Sequence, residues 1–193
     1  EEQRQITLCN AGNYCLPSAH LEKWLNALDN NNAQQEYYLT DLPEIAAQEG
    51  FQTTVIAGEA ICGWGINTRL ELAEHEYVAQ SILRQQAMEG GVTMIDPATV
   101  FLSWDTTFGQ DVVIEPNVVI GPWTSIEDNV TIISHVSISG KTHIGESTKI
   151  WPFAVIGSEP QDMKYGGEDG SLEIGMNNKI REHVTMHFGT KDG

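Results

Sequence analysis

Basic residues are scarce in this chain. Ten Lys and Arg stand against 27 Asp and Glu over 193 residues, a formal net charge of −17. The deficit is general: residues 1–101 carry 4 basic against 14 acidic residues, and residues 102–193 carry 6 against 13. No basic footprint for nucleic acid exists, and an acidic surface disfavours anionic lipid. Apolar runs are short, so no segment reads as a membrane span, and Glu1 to Gln5 show no signal-peptide core. Cysteine is limited to Cys9, Cys15 and Cys62, an odd number without framework spacing, which fits reduced thiols in a cytoplasmic protein. Residue 1 is not Met, and residues 1–16 read like the middle of a longer chain, so a fragment is expected.

In the second half, neither helical periodicity nor plain alternation describes the apolar residues. A period of six does. From Leu102 it runs through Phe108, Ile114, Ile120, Ile126, Ile132, Ile138, Ile144, Ile150 and Ile156, and returns in phase at Ile174, Ile180 and Met186. Four residues after each step stands a small or β-branched residue: Val112, Val118, Thr124, Val130, Val136, Thr142, Thr148, Ala154, Val184 and Thr190. Gly follows the ladder at Gly109, Gly121, Gly145, Gly157 and Gly175, where a turn can require positive φ. Such a repeat reads as a solenoid: a triangular parallel β-helix with three hexads per coil and coils about 4.8 Å apart. Between Ile156 and Ile174 the ladder misses two hexads. Residues 162–173 are polar and glycine-rich, and read as a loop ejected from the solenoid, where binding groups collect.

The first hundred residues are mixed α and β. A helix is expected over Pro17 to Leu28 on the stripe Leu21, Trp24, Leu25 and Leu28. A second starts at Asp41, with Asp41 and Glu44 in capping-box spacing and Pro43 in the first turn. Phe51 to Ala57 alternates like a strand. Thr68 and Glu71 cap a long helix carrying Leu70, Ala73, Tyr77 and Ile82, which ends at Gly90-Gly91. Asp96-Pro97 marks the boundary, giving segments 1–98 and 99–193.

Four motifs carry a resemblance in the first half: Asn10-Ala11-Gly12, the run from Asn31 to Asp41, Gly65-Ile66-Asn67-Thr68-Arg69, and Gly91 to Pro97. They resemble the C-terminal part of the uridylyltransferase domain of the bifunctional enzyme that makes UDP-N-acetylglucosamine. Gln35 departs from the family's usual Gly. The resemblance implies an incomplete nucleotidyltransferase-like segment in which Asn10 contacts the sugar nucleotide and Asn67 is part of a Mg²⁺ site. Mg²⁺ would be needed only with an intact domain, since the cation wants carboxylates and substrate phosphates. The family's glycine-rich loop, basic catalytic residues and metal-binding Asp would lie upstream of residue 1. Alone, Asn67 also reads as a loop residue beside a helix cap.

Residues 114–193 carry a different resemblance. Ser134-His135-Val136, Ile150-Trp151-Pro152-Phe153-Ala154, the run Ile156 to Glu168 with Gln161-Asp162-Met163-Lys164-Tyr165, and Ile180-Arg181-Glu182-His183-Val184-Thr185-Met186-His187 look like UDP-N-acetylglucosamine O-acyltransferase. That family implies left-handed winding, a homotrimer, and transfer of a 3-hydroxyacyl group from acyl carrier protein to the sugar 3-hydroxyl, without a cofactor. The ejected loop would help form a cleft between subunits. Gln161, Asp162, Lys164 and His187 are the implied substrate-binding residues: Lys164 a point charge for phosphate, Asp162 an acceptor for sugar hydroxyls. No catalytic residue is assigned, because the family's base histidine lies one coil further on. Turnover is accordingly not expected from these residues. Without the resemblance, the loop is equally a solvated surface loop. A zinc site is the rival for the solenoid histidines, but His135 and His183 fall two coils apart, roughly 10 Å, too far to share one ion at about 2.1 Å. A bifunctional uridylyltransferase/acetyltransferase relative and a non-catalytic trimerising chimera remain alternatives.

Overall fold

The computed structural model describes residues 9–190, apart from the side chains of Ala60 and Cys62. The chain forms two compact units, divided between Asn67 and Thr68.

The first unit is built on two helices, α1 (Ser18–Ala27) and α2 (Leu42–Gln48). Trp24, Leu42 and Ala46 are buried between them, with Leu16, Leu28 and Ile45 against them. Phe51 meets the Trp24 ring edge-on at 5.1 Å. The capping box expected at Asp41 is not formed: a 3-10 turn over Leu39–Asp41 precedes α2, and the Asp41 side chain caps nothing. The strand expected over Phe51 to Ala57 is not formed either. The segment has no strand partner among the described residues, and Val55 and Ile56 are exposed. Alternation alone makes no strand where no edge is available to pair with.

The second unit opens with α3 (Arg69–Glu89), whose capping box is present. Thr68 Oγ1 accepts the Glu71 N–H at 3.1 Å, and Glu71 Oε2 accepts the Thr68 N–H at 2.8 Å. Leu70, Tyr77 and Ile82 on this helix are exposed. Gln80 and Arg84 are the buried residues instead, and Leu83 and Ala87 pack on the solenoid core. This helix therefore groups with the coils, and the compact division falls before it rather than at Asp96-Pro97.

Fourteen short strands follow among the described residues: β1 (Thr93–Met94), β2 (Phe101–Leu102), β3 (Thr107–Phe108), β4 (Val113–Ile114), β5 (Val119–Ile120), β6 (Thr124–Ile126), β7 (Thr131–Ile132), β8 (Ser137–Ile138), β9 (Lys141–Ile144), β10 (Lys149–Ile150), β11 (Val155–Ser158), β12 (Ser171–Ile174), β13 (Lys179–Ile180) and β14 (Thr185–His187). All pair in parallel, each with the strand one coil away, in three sheets ordered β1-β4-β7-β10-β13, β2-β5-β8-β11-β14 and β3-β6-β9-β12. The three sheets are the faces of a parallel β-helix. The ladder from Ile114 to Ile156 and the small residues from Val112 to Ala154 are all buried, with Phe108 and Met186 half-buried near the ends of the stack. Two of the buried hydroxyls are paired, with Thr142 donating to Ser139 O at 2.7 Å and Thr148 to Gly175 O at 3.2 Å, while Thr124 Oγ1 is buried without a hydrogen-bond partner.

Left-handed backbone (φ near +60°) recurs at the corners. One corner stacks Asp111, Asn129, Ser147 and Asn177, and another Asn117, His135, Phe153 and His183. Asp, Asn and His tolerate this region better than most side chains. Phe153 is the costly case. Its ring lies between His135 (centroids 5.3 Å apart) and His183 (5.1 Å, planes nearly parallel). That stacking offsets backbone strain, and it fills the space between the two histidines.

Candidate functional site

The solenoid ejects twelve residues, Glu159 to Gly170, between the end of β11 and the start of β12. Beyond the loop, β12 resumes the ladder, with Lys141 opposite Ser171 and Ile144 opposite Ile174. The loop starts and ends three residues earlier than 162–173, and Ser171 to Glu173 are strand.

Backbone contacts at the loop's exit demand glycine. At Gly157, φ is +77°, and a Cβ would lie 2.0 Å from Ser139 O and 2.1 Å from Thr142 Oγ1. The β11–β14 register shifts at this point, placing Ser158 opposite His187. At the return, a Cβ on Gly170 would sit 2.3 Å from the Phe188 ring.

Inside the loop, local hydrogen bonds set the conformation. Asp162 Oδ1 accepts the Lys164 N–H at 2.9 Å, and Asp162 O accepts the Tyr165 N–H at 3.0 Å. This Asx-type turn projects Met163 fully into solvent and leaves Gln161 and Lys164 exposed. Tyr165 turns back, with its ring edge-on to Phe188 at 5.8 Å and its hydroxyl donating to Glu168 O at 3.2 Å. Glu168 Oε2 accepts the Gly166 N–H at 2.8 Å, and Lys141 of β9 pairs with Asp169. Partial burial, then the carboxylates of Glu159, Glu168 and Asp169, push the Tyr165 phenol above its ordinary pKa.

His187 lies at the root of the loop. Its Nδ1–H donates to Glu159 O at 2.7 Å. That bond fixes the ring and leaves Nε2 as the free nitrogen of the neutral form. The loop and His187 thus share one region of the second unit, with Gln161, Asp162 and Lys164 presented as an exposed polar set. Chemically the set offers one cation, one carboxylate, one amide and one imidazole: enough to orient a polar, anionic ligand. No assembled nucleophile-and-base pair is present in this set.

Asn10 and Asn67 belong to the other unit. Asn10 Oδ1 accepts the Gly12 N–H at 2.8 Å, and its Nδ2 donates to the Tyr14 hydroxyl. Asn67 directly precedes the N-cap of α3. Among the described residues, no group of three or more His, Cys, Asp or Glu side chains is placed to hold a metal ion. Sequence reasoning missed the anchors of the loop: Lys141 with Asp169, and Tyr165 with Phe188. The available signal was position, since Lys141 begins the strand that pairs with the loop's return strand.

No protein-family model matches the chain. Among curated proteins, the bifunctional protein GlmU of Azorhizobium caulinodans is 42% identical over 153 residues, covering 79% of this chain and 34% of its own length. The GlmU protein of Bradyrhizobium diazoefficiens is 47% identical over 137 residues, covering 70% and 30%. Among solved structures, a UDP-N-acetylglucosamine acyltransferase superposes with a TM-score of 0.50 at 36% identity, over 52% of this chain and 38% of that one. Both resemblances therefore hold. The parallel coils and the likeness to the acyltransferase together support left-handed winding. The chain spans about a third of the length of the curated relatives it matches. No helix among the described residues is long and apolar enough to cross a membrane.

Proposed function

We propose that this chain is part of a transferase acting on UDP-N-acetylglucosamine, with the Glu159–Gly170 loop and His187 as its sugar-nucleotide contact. The observation that carries the reading is the loop itself. Two glycine-only contacts, an Asx-type turn and an ion pair hold it in one shape, on coils 36% identical to an acyltransferase for that sugar nucleotide. Lys164 supplies a point charge for the diphosphate. Asp162 accepts from sugar hydroxyls, Gln161 offers both donor and acceptor, and His187 presents Nε2. The finer reading is 3-hydroxyacyl transfer from acyl carrier protein to the sugar 3-hydroxyl, the first step of lipid A synthesis, in a homotrimer whose loops complete neighbouring clefts. The reaction itself needs no cofactor.

The second reading is acetyl transfer of the bifunctional kind. The length of the match to GlmU proteins, 153 residues and most of the chain, favours it.

Titration calorimetry with UDP-N-acetylglucosamine tests the shared part. Lys164→Met and Asp162→Asn should each weaken binding about tenfold or more, since a hydrogen bond to a charged group is worth about 1.5–3 kcal/mol. Unchanged affinity in both variants would remove the loop from the site. Preference for UDP-N-acetylglucosamine over UDP-glucosamine is not diagnostic, so the acyl donor that the chain binds, an acyl carrier protein or a small acetyl thioester, decides between the two readings.

A further inference from the structure

A second chemical constellation lies on the outward face of the sheet into which the loop returns, and it is made of residues that take no part in the loop's anchoring. In the sheet β3-β6-β9-β12, the outward column is Thr107, Ser125, His143 and Glu173, each opposite the next. Ser125 Oγ lies 2.9 Å from His143 Nδ1. His143 Nε2 lies 3.4 Å from Glu127 Oε1. The other oxygen of that carboxylate, Oε2, accepts the Glu146 N–H at 2.9 Å.

These contacts favour one tautomer of the neutral ring. A carboxylate beside Nε2 favours the tautomer with its proton there. Nδ1 then carries the lone pair, and it faces the Ser125 hydroxyl. Hydroxyl, imidazole and carboxylate stand in series, and a backbone N–H orients the carboxylate. A nucleophile within hydrogen-bond reach of a base, which a third group orients, is the arrangement that activates serine. Its geometry, not its order in the chain, defines it. An open cavity of about 420 Å³ adjoins the group, with Ser125 and Glu127 in its wall beside Thr107 and Phe108. A small ester can therefore reach Oγ.

We propose that Ser125 is a reactive nucleophile, with His143 as its general base and Glu127 as a positioning residue, and that it takes the acyl group of small activated esters. Ser125 Oγ bonds to the acyl carbon while its proton passes to His143 Nδ1. The carbon–oxygen bond to the leaving group then breaks, and the leaving group departs with the electron pair. The acyl group stays on serine. The strand N–H groups around Ser125 are engaged in coil-to-coil hydrogen bonds. None is left to stabilise an oxyanion, so the step is a single acylation rather than rapid turnover.

The test uses the full chain and p-nitrophenyl acetate, with peptide mapping by mass spectrometry over time. Acetylation of the Ser125 peptide is expected in the unsubstituted chain and is expected to vanish in Ser125→Ala. His143→Gln should slow it about a hundredfold, the lower range for a positioned general base. Glu127→Gln should slow it several-fold and alter its pH profile, with the melting midpoint unmoved. If Ser125 stays unmodified while surface lysines and tyrosines react, the proposal is overturned. An equal rate in His143→Gln overturns it too. Should that variant melt early, Glu127→Gln decides: a changed rate and pH profile support the relay, and unchanged ones overturn it.

Discussion

The side-chain amide of Gln80 completes both edge-facing backbone hydrogen bonds of Leu102. Gln80 Nε2 donates to Leu102 O at 2.7 Å, and the Leu102 N–H donates to Gln80 Oε1 at 2.9 Å. Leu102 lies in β2, the edge strand of its sheet. One amide thus does what another coil would do for that residue. Arg84 extends the seal, donating from Nη1 to Val100 O at 3.1 Å, while Leu83 and Ala87 cover the apolar end. An open strand edge invites pairing with other chains, and solenoids need a cap at such ends. Here α3 provides it at the first coil.

Removing that amide leaves two buried backbone groups of Leu102 without partners. Gln80→Ala should destabilise the second unit by about 2–6 kcal/mol, at roughly 1–3 kcal/mol for each group. Urea unfolding checks this, and light scattering should show increased association as the edge opens.

The solenoid interior is narrow. Ile138 is 1% exposed, and its neighbours above and below are Ile120 and Ile156. Ile138→Asp places an unpaired charge there and should cost several kcal/mol. Ile138→Val should cost only about 0.5–1.5 kcal/mol. A denaturant series on both variants should separate them clearly.

Gly157 has no room for a methyl group at φ +77°. Gly157→Ala should destabilise by more than about 1 kcal/mol, and the damage should centre on the loop. Hydrogen exchange would show faster exchange over Glu159–Gly170 than over β7 and β8.

The Tyr165 phenol is favoured in its protonated form, first by partial burial and then by nearby carboxylates. Its folded pKa lies above the unfolded value of about 10. The stabilisation is therefore fully present below pH about 10 and is lost as pH rises through the folded pKa. Absorbance titration should give Tyr165 a midpoint above that of free tyrosine, and the loop should loosen in alkali. Glu168→Gln should bring the midpoint down.

The coils were legible because their demand is periodic. Each inward position meets the same narrow core, so Ile132 or Val136 is announced by its neighbours six residues away. The cap was not legible, because it works through polar atoms. Gln80 and Arg84 look like surface residues on a helix whose apolar Leu70 and Tyr77 in fact face solvent. Only the tertiary meeting with Leu102 and Val100 shows their role. The two-hexad gap revealed the loop's length but not its edges. Ser171 and Glu173 are polar because they point outward from β12, and that hid a strand. Ser125 and His143 were readable in principle, since they stand 18 residues apart, one coil, at the same hexad position. Neither residue on its own signals the pairing.

Hydrogen exchange with and without UDP-N-acetylglucosamine tests the central claim most directly, because it reports where the ligand contacts the chain. The account predicts slowed exchange across Glu159–Gly170 and in β14 around His187, with the buried coils from β4 to β10 unchanged. Binding without protection of the loop, or no binding at millimolar ligand, would contradict it.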